Sequence, residues 1–455
     1  MRIIRTLVAG ATLLSLSTPA LHAKVDPEQA AELGKSLTPM GAEMAGNEAG
    51  TIPAWDGGYK PPRMPADSRK RHPESYPGVG DQKPLFVINA DNMAEHEAFL
   101  TPSHKTLLTR FPDSYRLPVY PSQRTVYAPD YIYEATRENA LKADTSNFGE
   151  SILNAAIGVP FPIPTSGKEV IWNHKTRFRG QSIRRYNVQL AVQTNGTFTP
   201  HKLREDVLFS YALPDATPDG LKGVMTYFLQ IALAPPRAAG QVLLVHETMD
   251  QWQEPRRAWL YNPGQRRVRR APNVAYDNPG SGSDGLRTND QLDVFNGATD
   301  RYRWKLVGKG EFYVPYNAYK LVDDRLDYGD IVDEGHIDQN LARYELHRVW
   351  IVDSFLREGT SHIYKRRTFY VDEDSWTILM VDIYDNRDQL WRIQEYHQIM
   401  IPWTESVGPA GHIIYDLQSN RYLAMELSNE EPLFDTESFD EQYFRTSNVR
   451  RIARR

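Results

Sequence analysis

The sequence predicts a mainly β (α+β) fold: one strongly curved antiparallel sheet of about a dozen strands, preceded by a stretch of helix and loop. Three observations lead there. From about Lys168 onward the chain falls into segments of roughly five to ten residues rich in Val, Ile, Tyr, Phe and Trp, separated by tight-turn chemistry, which is the pattern of a meander. These segments alternate in polarity. In 224–233, Met225, Tyr227, Leu229, Ile231 and Leu233 share a face; in 377–384, Leu379, Val381 and Ile383 lie opposite Asp382, so the sheet is expected to be apolar within and polar outside. An open sheet of this size would also leave a large apolar surface in water, so it must curl or be covered. Side chains, the helices of the N-terminal third or a ligand can fill the concave face.

The elements follow in chain order. Arg2 and Arg5 precede an apolar run over 7–16, then Pro19 and Leu21-His22-Ala23, with Ala23 small enough for a signal-peptidase pocket. Residues 1–23 read as a cleaved secretory signal, because roughly ten apolar residues fall short of the ~20 needed to span a bilayer. The most apolar later stretch, 224–234, is interrupted by Gln230, so the mature protein is expected to be exported and soluble. Asp26-Pro27-Glu28 places a capping Asp before Pro at the start of a short helix that Gly34 stops. Prolines at 53, 61, 62, 65, 73, 77 and 84 make that stretch extended coil. Asp91 is placed to cap a helix to Leu100, Thr101-Pro102 to start one to Arg110, and 137–143 has helical composition. Residues 24–167 are expected to pack on a sheet domain of residues 168–455 as one unit.

Within that domain, 184–193 leads into Asn195-Gly196, a strong hairpin signal of type I′, in which both turn residues take positive φ. Segment 224–233 returns through 235–240 into 242–248, and 257–261 turns at 262–265 into 266–271. Further strands are expected at 368–371, 377–384, 390–399, 412–417 and 421–427, joined by short polar turns.

Composition removes several function classes. Lys plus Arg is 53 against 58 Asp plus Glu, a net charge of −5, which argues against general nucleic-acid binding. With no Cys there is no disulfide, thiolate metal site, Cys nucleophile or Cys-anchored lipid. Gly280, Gly282 and Gly285 match G-x-G-x-x-G, but Asn278-Pro279 precedes them in a meander, without the strand and helix a dinucleotide site needs. They read as a loop, a candidate mobile lid, leading to a turn with Thr288 as N-cap and Gln291 at the capping-box position. His246-Glu247 is half of the zinc-protease H-E-x-x-H without its second His, so no metal is indicated there; Glu395 and His397 share a strand face as an ion pair or as two ligands, and with no third partner structural pairing is the expectation. No G-x-S-x-G elbow occurs, and carboxylate pairs in a cleft stay open. Arg256, Arg257, Arg266, Arg267, Arg269 and Arg270 flank one hairpin, either as a docking surface for anionic headgroups or an acidic partner, or as a solvated outer face.

Leu37-Thr38-Pro39-Met40-Gly41-Ala42-Glu43, Ala45-Gly46-Asn47, and the run from Gly50-Thr51-Ile52-Pro53-Ala54-Trp55 to Gly57-Gly58 resemble the N-terminal signature of the DUF1329 family of exported bacterial proteins. Residues 240–317 resemble it too, through Val245-His246-Glu247-Thr248, Trp259-Leu260-Tyr261-Asn262-Pro263-Gly264, the 280–288 loop and Tyr313-Val314-Pro315-Tyr316-Asn317. The resemblance covers essentially the whole mature chain. It implies a fold like that of LolA/LolB-type lipoprotein carriers and acceptors: a curved antiparallel half-barrel with helices and loops over the concave face. It also implies a periplasmic carrier or binding protein for a hydrophobic, lipid-like molecule, accessory to envelope export and acting beside an RND-type inner-membrane exporter and an outer-membrane β-barrel. No cofactor, nucleotide or catalytic residue comes with it, so an enzyme is not expected. On this reading the ligand meets the apolar strip of Met225, Tyr227, Leu229, Ile231, Leu379, Val381 and Ile383. A secreted hydrolase with an unrecognised carboxylate site and a structural adaptor between envelope proteins are the alternatives.

Overall fold

The computed structural model describes residues 25–60, 69 and 71–453, so the expected signal segment at 1–23 lies outside the described residues. In chain order the strands are β1 (Phe86–Ile88), β2 (Leu117–Tyr120), β3 (Asp144–Ser146), β4 (Ser151–Leu153), β5 (Ser182–Val192), β6 (Pro200–Phe209), β7 (Val224–Ala232), β8 (Val242–Thr248), β9 (Arg257–Asn262) and β10 (Arg267–Arg270). Then come β11 (Tyr302–Pro315), β12 (Tyr344–Leu356), β13 (Arg366–Asp372), β14 (Ile378–Tyr384), β15 (Leu390–Ile401), β16 (Ser406–Asp416), β17 (Arg421–Leu427) and β18 (Asp435–Thr436). The α-helices are α1 (Pro27–Ala30), α2 (Pro102–Arg110), α3 (Asp130–Lys142), α4 (Gly167–Thr176), α5 (Tyr328–Ile331) and α6 (Thr446–Ile452).

All the strands except the β3–β4 pair belong to one 16-stranded sheet, mixed but mostly antiparallel. Two meanders build it. The first runs β5 to β10 and the second β11 to β17, and they join edge to edge where β17 pairs with β5, Ala424 opposite Leu190. The parallel contact is a short one, in which β2 lies beside the start of β12. Residues 271–301 carry the chain from the end of the first meander to the start of the second, across the concave face.

Local chemistry accounts for the element ends. Asp26 accepts from the Glu28 N–H at 2.9 Å to cap α1, and Thr101 and His104 form a reciprocal cap on α2. Where the sequence reading began the sheet at Lys168, the chain is instead helical. Ser166 and Glu169 form a capping box that starts α4, and the sheet begins at Ser182. The helix expected from Asp91 is a 3₁₀ segment, Met93–Phe99, with Asn92 at its N-cap. At the β5–β6 turn only Gly196 has positive φ (+74°), and its N–H bonds the Gln193 carbonyl at 3.0 Å, so the turn is not type I′.

Both faces of the sheet are covered, which corrects the expected polar exterior. On the concave face, α4 lays Val170 and Ile171 against Phe369, Val381 and Ile383, with Val294 and Phe295 of the crossing segment beside them. On the convex face of the second meander, Leu107 and Leu108 of α2 belong to the same buried cluster as Tyr115, Tyr344, Ile393 and Ile413. Asp382, expected in solvent, is fully buried there. It accepts from the Ser103 N–H and hydroxyl and from Tyr370 Oη at 2.8 Å, and burial pushes its pKa up to about 6. Glu395 is buried on this face too, accepting from Tyr115 Oη (2.9 Å), Tyr344 Oη (3.0 Å) and Tyr415 Oη (3.2 Å), with His104 and His397 each 3.9 Å away. Burial works against its charge, but the neighbouring imidazoles and hydroxyls prevail and hold its pKa below the ordinary value.

Candidate binding cavity

A partly enclosed cavity of about 170 Å³ lies on the concave face over the first meander. Its floor comes from alternate residues of four strands: Ile183 of β5, Val207 and Phe209 of β6, Met225 and Phe228 of β7, and Leu243 and Val245 of β8. A bulge decides which side chains of β7 enter. In β7 the register slips between Val224 and Thr226, so Met225 lines the cavity and the alternation then continues through Thr226, Phe228 and Gln230. Tyr396, Ile399 and Ile401 of β15 line the same space, next to a slip at which Ala410 is the extra residue of the partner strand β16. Val274 and Leu292 of the crossing segment close it from above, and Trp403, Leu433 and Phe434 stand at one side.

One end of the cavity is polar. Arg185 reaches Glu205 at 2.6 Å and Glu426 at 3.0 Å, and Gln230 donates to Glu205 at 2.8 Å. Glu426 is buried at positive φ (+62°) with Oε2 unpartnered, and burial raises its pKa despite Arg185. Arg287 faces the same end from the crossing segment. At the helix side, Lys175 is buried, donating to Gln251 Oε1 (3.0 Å) and the Gly297 carbonyl (3.1 Å) over the Trp172 ring; burial lowers its pKa to about 8. Arg256 pairs with Glu247 at 2.7 Å beside it. Apolar walls with a charged end can hold an apolar body that carries one polar group.

The family model described as a protein of unknown function, DUF1329, matches residues 87–450. The chain belongs to the DUF1329 family. An uncharacterized protein of Pseudomonas aeruginosa is 47% identical over 427 residues, which is 93% of this chain and 92% of the relative. Among solved structures, a DUF1329 protein from Desulfovibrio piger is similar at 17% identity and a TM-score of 0.41, over 60% of this chain and 92% of the other. A putative outer membrane lipoprotein-sorting protein domain from Vibrio parahaemolyticus is similar at 14% identity and a TM-score of 0.43, over 62% and 97%. The LolA superfamily protein of Nitrosomonas europaea follows at 12% and 0.37, over 62% and 99%.

In this DUF1329 chain the residues singled out from sequence separate. Met225 lines the cavity, while Tyr227, Leu229 and Ile231 lie on the convex face, packed with Phe444, Val449 and Ile452 at α6. The bulge at Met225 is the cause. Val381 and Ile383 do face the concave side, but under α4 in filled core. Leu379 sits at a second slip, between β13 and β14, and joins Tyr370, Val126 and Tyr127 instead. Of the arginines, Arg256 points inward to Glu247 and Asn296, and Arg257 is half-buried with Nε unpartnered. Arg266, Arg267, Arg269 and Arg270 stay exposed on and beside the edge strand β10, with Arg450 and Arg451 of α6 next to them.

The glycine loop is fastened across the concave face. Arg392 donates to the Gly285 carbonyl at 2.7 Å, Leu286 is buried against Ile414 and Leu423, and Thr288 and Gln291 make the expected capping box on a 3₁₀ turn. Its glycines serve close approach. A Cβ on Gly280 would lie 2.3 Å from Arg287 Nη1, and one on Gly282 would meet the His201 ring at 2.6 Å. His246 donates from Nε2 to the Phe444 carbonyl (3.0 Å) and helps seat the C-terminal segment. Of the buried titratable groups, His347, Asp372 and Asp374 come together, but Arg124 already holds both oxygens of Asp374 at 2.9 and 2.7 Å. Sequence reading missed Glu426, whose partner Arg185 comes from the other meander, and Arg287, which lies on the crossing segment; only the glycines around Arg287 pointed to that loop.

Proposed function

We propose that this DUF1329 protein is a periplasmic binding or carrier protein, not an enzyme, whose cavity over β5–β8 takes the apolar body of a lipid-like molecule. The observation that carries the reading is an open space on the concave face walled by Phe209, Met225, Phe228, Leu243, Val245 and Ile399. Each Å² of apolar ligand surface moved there from water gains about 25 cal/mol, with no charged partner required. Among the described residues no helix is long and apolar enough to cross a membrane. An RND-type exporter and an outer-membrane β-barrel as the source and destination of the ligand belong to the same proposal.

Protein purified from its native compartment is expected to release a lipid on solvent extraction, identified by mass spectrometry, and the stripped protein to take up a fluorescent fatty-acid probe. Val245→Trp, which adds bulk to the cavity floor, is expected to abolish uptake in a folded protein. Absence of both lipid and uptake in the wild type sinks the reading.

A hydrolase is the second reading, favoured by one observation: Glu205 and Glu426 both meet Arg185 at the cavity end, and the pKa of Glu426 is raised. Glu426→Gln separates the two. It is expected to leave probe uptake intact, whereas a hydrolase would turn over an ester or glycoside probe and lose that turnover.

A further inference from the structure

Arg287 differs from the other cavity arginines. Arg185 has two carboxylates, Arg179 has Asp293 and Arg256 has Glu247. Arg287 is 4% exposed, yet its guanidinium makes one hydrogen bond, a long one from Nη1 to the Thr288 carbonyl at 3.3 Å, and its Nε has no partner. Among the described residues no carboxylate comes within ion-pairing distance of it. Glu205 and Glu426, the nearest negative charges, are both already engaged with Arg185. A buried guanidinium left this way is costly, since its desolvation is not offset.

The neighbourhood is built around the uncompensated charge. Gly280 supplies the bare backbone against which the guanidinium lies, because a Cβ there would clash with Nη1 and Cζ. His412 and His201, which face Arg287 from β16 and β6, are pushed below the ordinary imidazole range first by burial and then by nearby cations that include Arg287, so neither becomes a competing positive charge. Past the guanidinium lies the cavity, with apolar walls and the unpartnered Oε2 of Glu426 at the same end.

We infer that Arg287 is the headgroup site of an anionic amphiphile: a carboxylate on an acyl chain, with the chain in the cavity and its oxygens on the free N–H groups of Arg287. This rests on the carrier reading and narrows it. Planar guanidinium and planar carboxylate match in geometry, and a charge-assisted pair in a low-dielectric pocket is stronger than its counterpart in water. The free edge of Glu426 would accept a hydrogen bond from a hydroxyl near the head.

Delipidated mature protein is titrated with dodecanoate, monododecyl phosphate, methyl dodecanoate and dodecyltrimethylammonium. The wild type is expected to bind dodecanoate at least roughly tenfold more tightly than its methyl ester. The cationic chain should be weakest. Arg287→Met should erase the difference between acid and ester, Arg287→Lys should keep most of it, and the thermal midpoint of ligand-free Arg287→Met should equal or exceed that of the wild type. Tighter binding of the phosphate than of the carboxylate would replace the carboxylate head with a phosphate one. Equal binding of acid and ester by the wild type overturns the headgroup site and leaves the carrier reading standing. No binding of any chain overturns the carrier reading itself. Unfolding of both Arg287 variants without ligand would make the arginine structural and overturn the inference.

Discussion

Over β12, β13 and β14 the concave face is solid, while over β5 to β8 the same face of the same sheet leaves a cavity. The strands do not make the difference, since both stretches present aromatic and aliphatic side chains inward. The cover does. α4 is buried along most of its length and lies so close to β12 that a Cβ on Gly167 would meet Val352 at 2.9 Å. Past Thr176 the helix ends, Arg177 and Arg179 turn to Asp293, and the cover continues as the irregular 271–301 segment. That segment offers Val274 and Leu292 but also Arg287, Asn289 and Asn296, which cannot close down on an apolar floor. A curved sheet is therefore core or container according to the chain laid across it.

The comparison breaks most visibly at Phe295, which packs on Trp304 and Phe369 in the solid half. Phe295→Ala is expected to lower stability by about 3–5 kcal/mol in urea unfolding. A loss below about 1 kcal/mol would mean that this half is loosely filled. Next in size is Leu229→Trp, on the opposite side of β7 from the cavity and under α6. Overpacking there is expected to cost about 1–3 kcal/mol while the fatty-acid probe still binds, the reverse of Val245→Trp. If Leu229→Trp blocked the probe and Val245→Trp did not, the two faces of β7 would have been assigned backwards.

That reversal marks how far the sequence could be read. Most strand positions between Ser182 and Leu427 follow from turn chemistry and residue type, although β6, β11 and β12 were not placed, and the family follows from the motifs around Pro39, Trp55, His246 and Tyr316. Facing did not follow, because a bulge of one residue flips everything after it, and nothing in Val224-Met225-Thr226 announces one. α4 was missed although Ser166 and Glu169 carry the capping-box spacing, since Val170, Ile171 and Trp172 read equally well as strand. The polar end of the cavity joins residues from both meanders, which pairing decides and local pattern does not.

Two neighbours on α4 sharpen the contrast by pH. His174, on the solid side, accepts from the Ile378 N–H at Nδ1 (3.1 Å) and donates from Nε2 to the Asp293 carbonyl (2.9 Å). Burial and then Arg177 lower its pKa from 6.5 to about 3. Below 6.5 the unfolded chain binds this proton and the folded one does not, so stability falls as pH drops from 6.5 toward 3. Lys175, on the cavity side, has its pKa lowered from 10.5 to about 8, so its contribution makes stability rise as pH climbs from 8 to 10.5. Urea unfolding at a series of pH values should show the acid slope reduced in His174→Gln and the alkaline slope reduced in Lys175→Met. Unchanged slopes would mean that these groups titrate normally in the folded state.

The smallest effect on folding is expected at Arg266, Arg267, Arg269 and Arg270, where replacement by Gln should change stability by less than about 0.5 kcal/mol. Binding to anionic vesicles should weaken and lose its salt dependence. A large fall in thermal stability with vesicle binding intact would make the cluster structural.

The seam between β17 and β5 sets the order in which the protein can be made. Leu190 and Ala424 face each other across it from roughly 230 residues apart, so the outer edge of β5 waits for almost the whole chain. During vectorial synthesis β5 to β10 can form hairpins early, yet their leading strand keeps a row of unpaired N–H and C=O groups until residues 421–427 arrive. A chain cut short before Arg421 would carry that bare edge to its neighbours, which makes β17 the sheet's safeguard against aggregation.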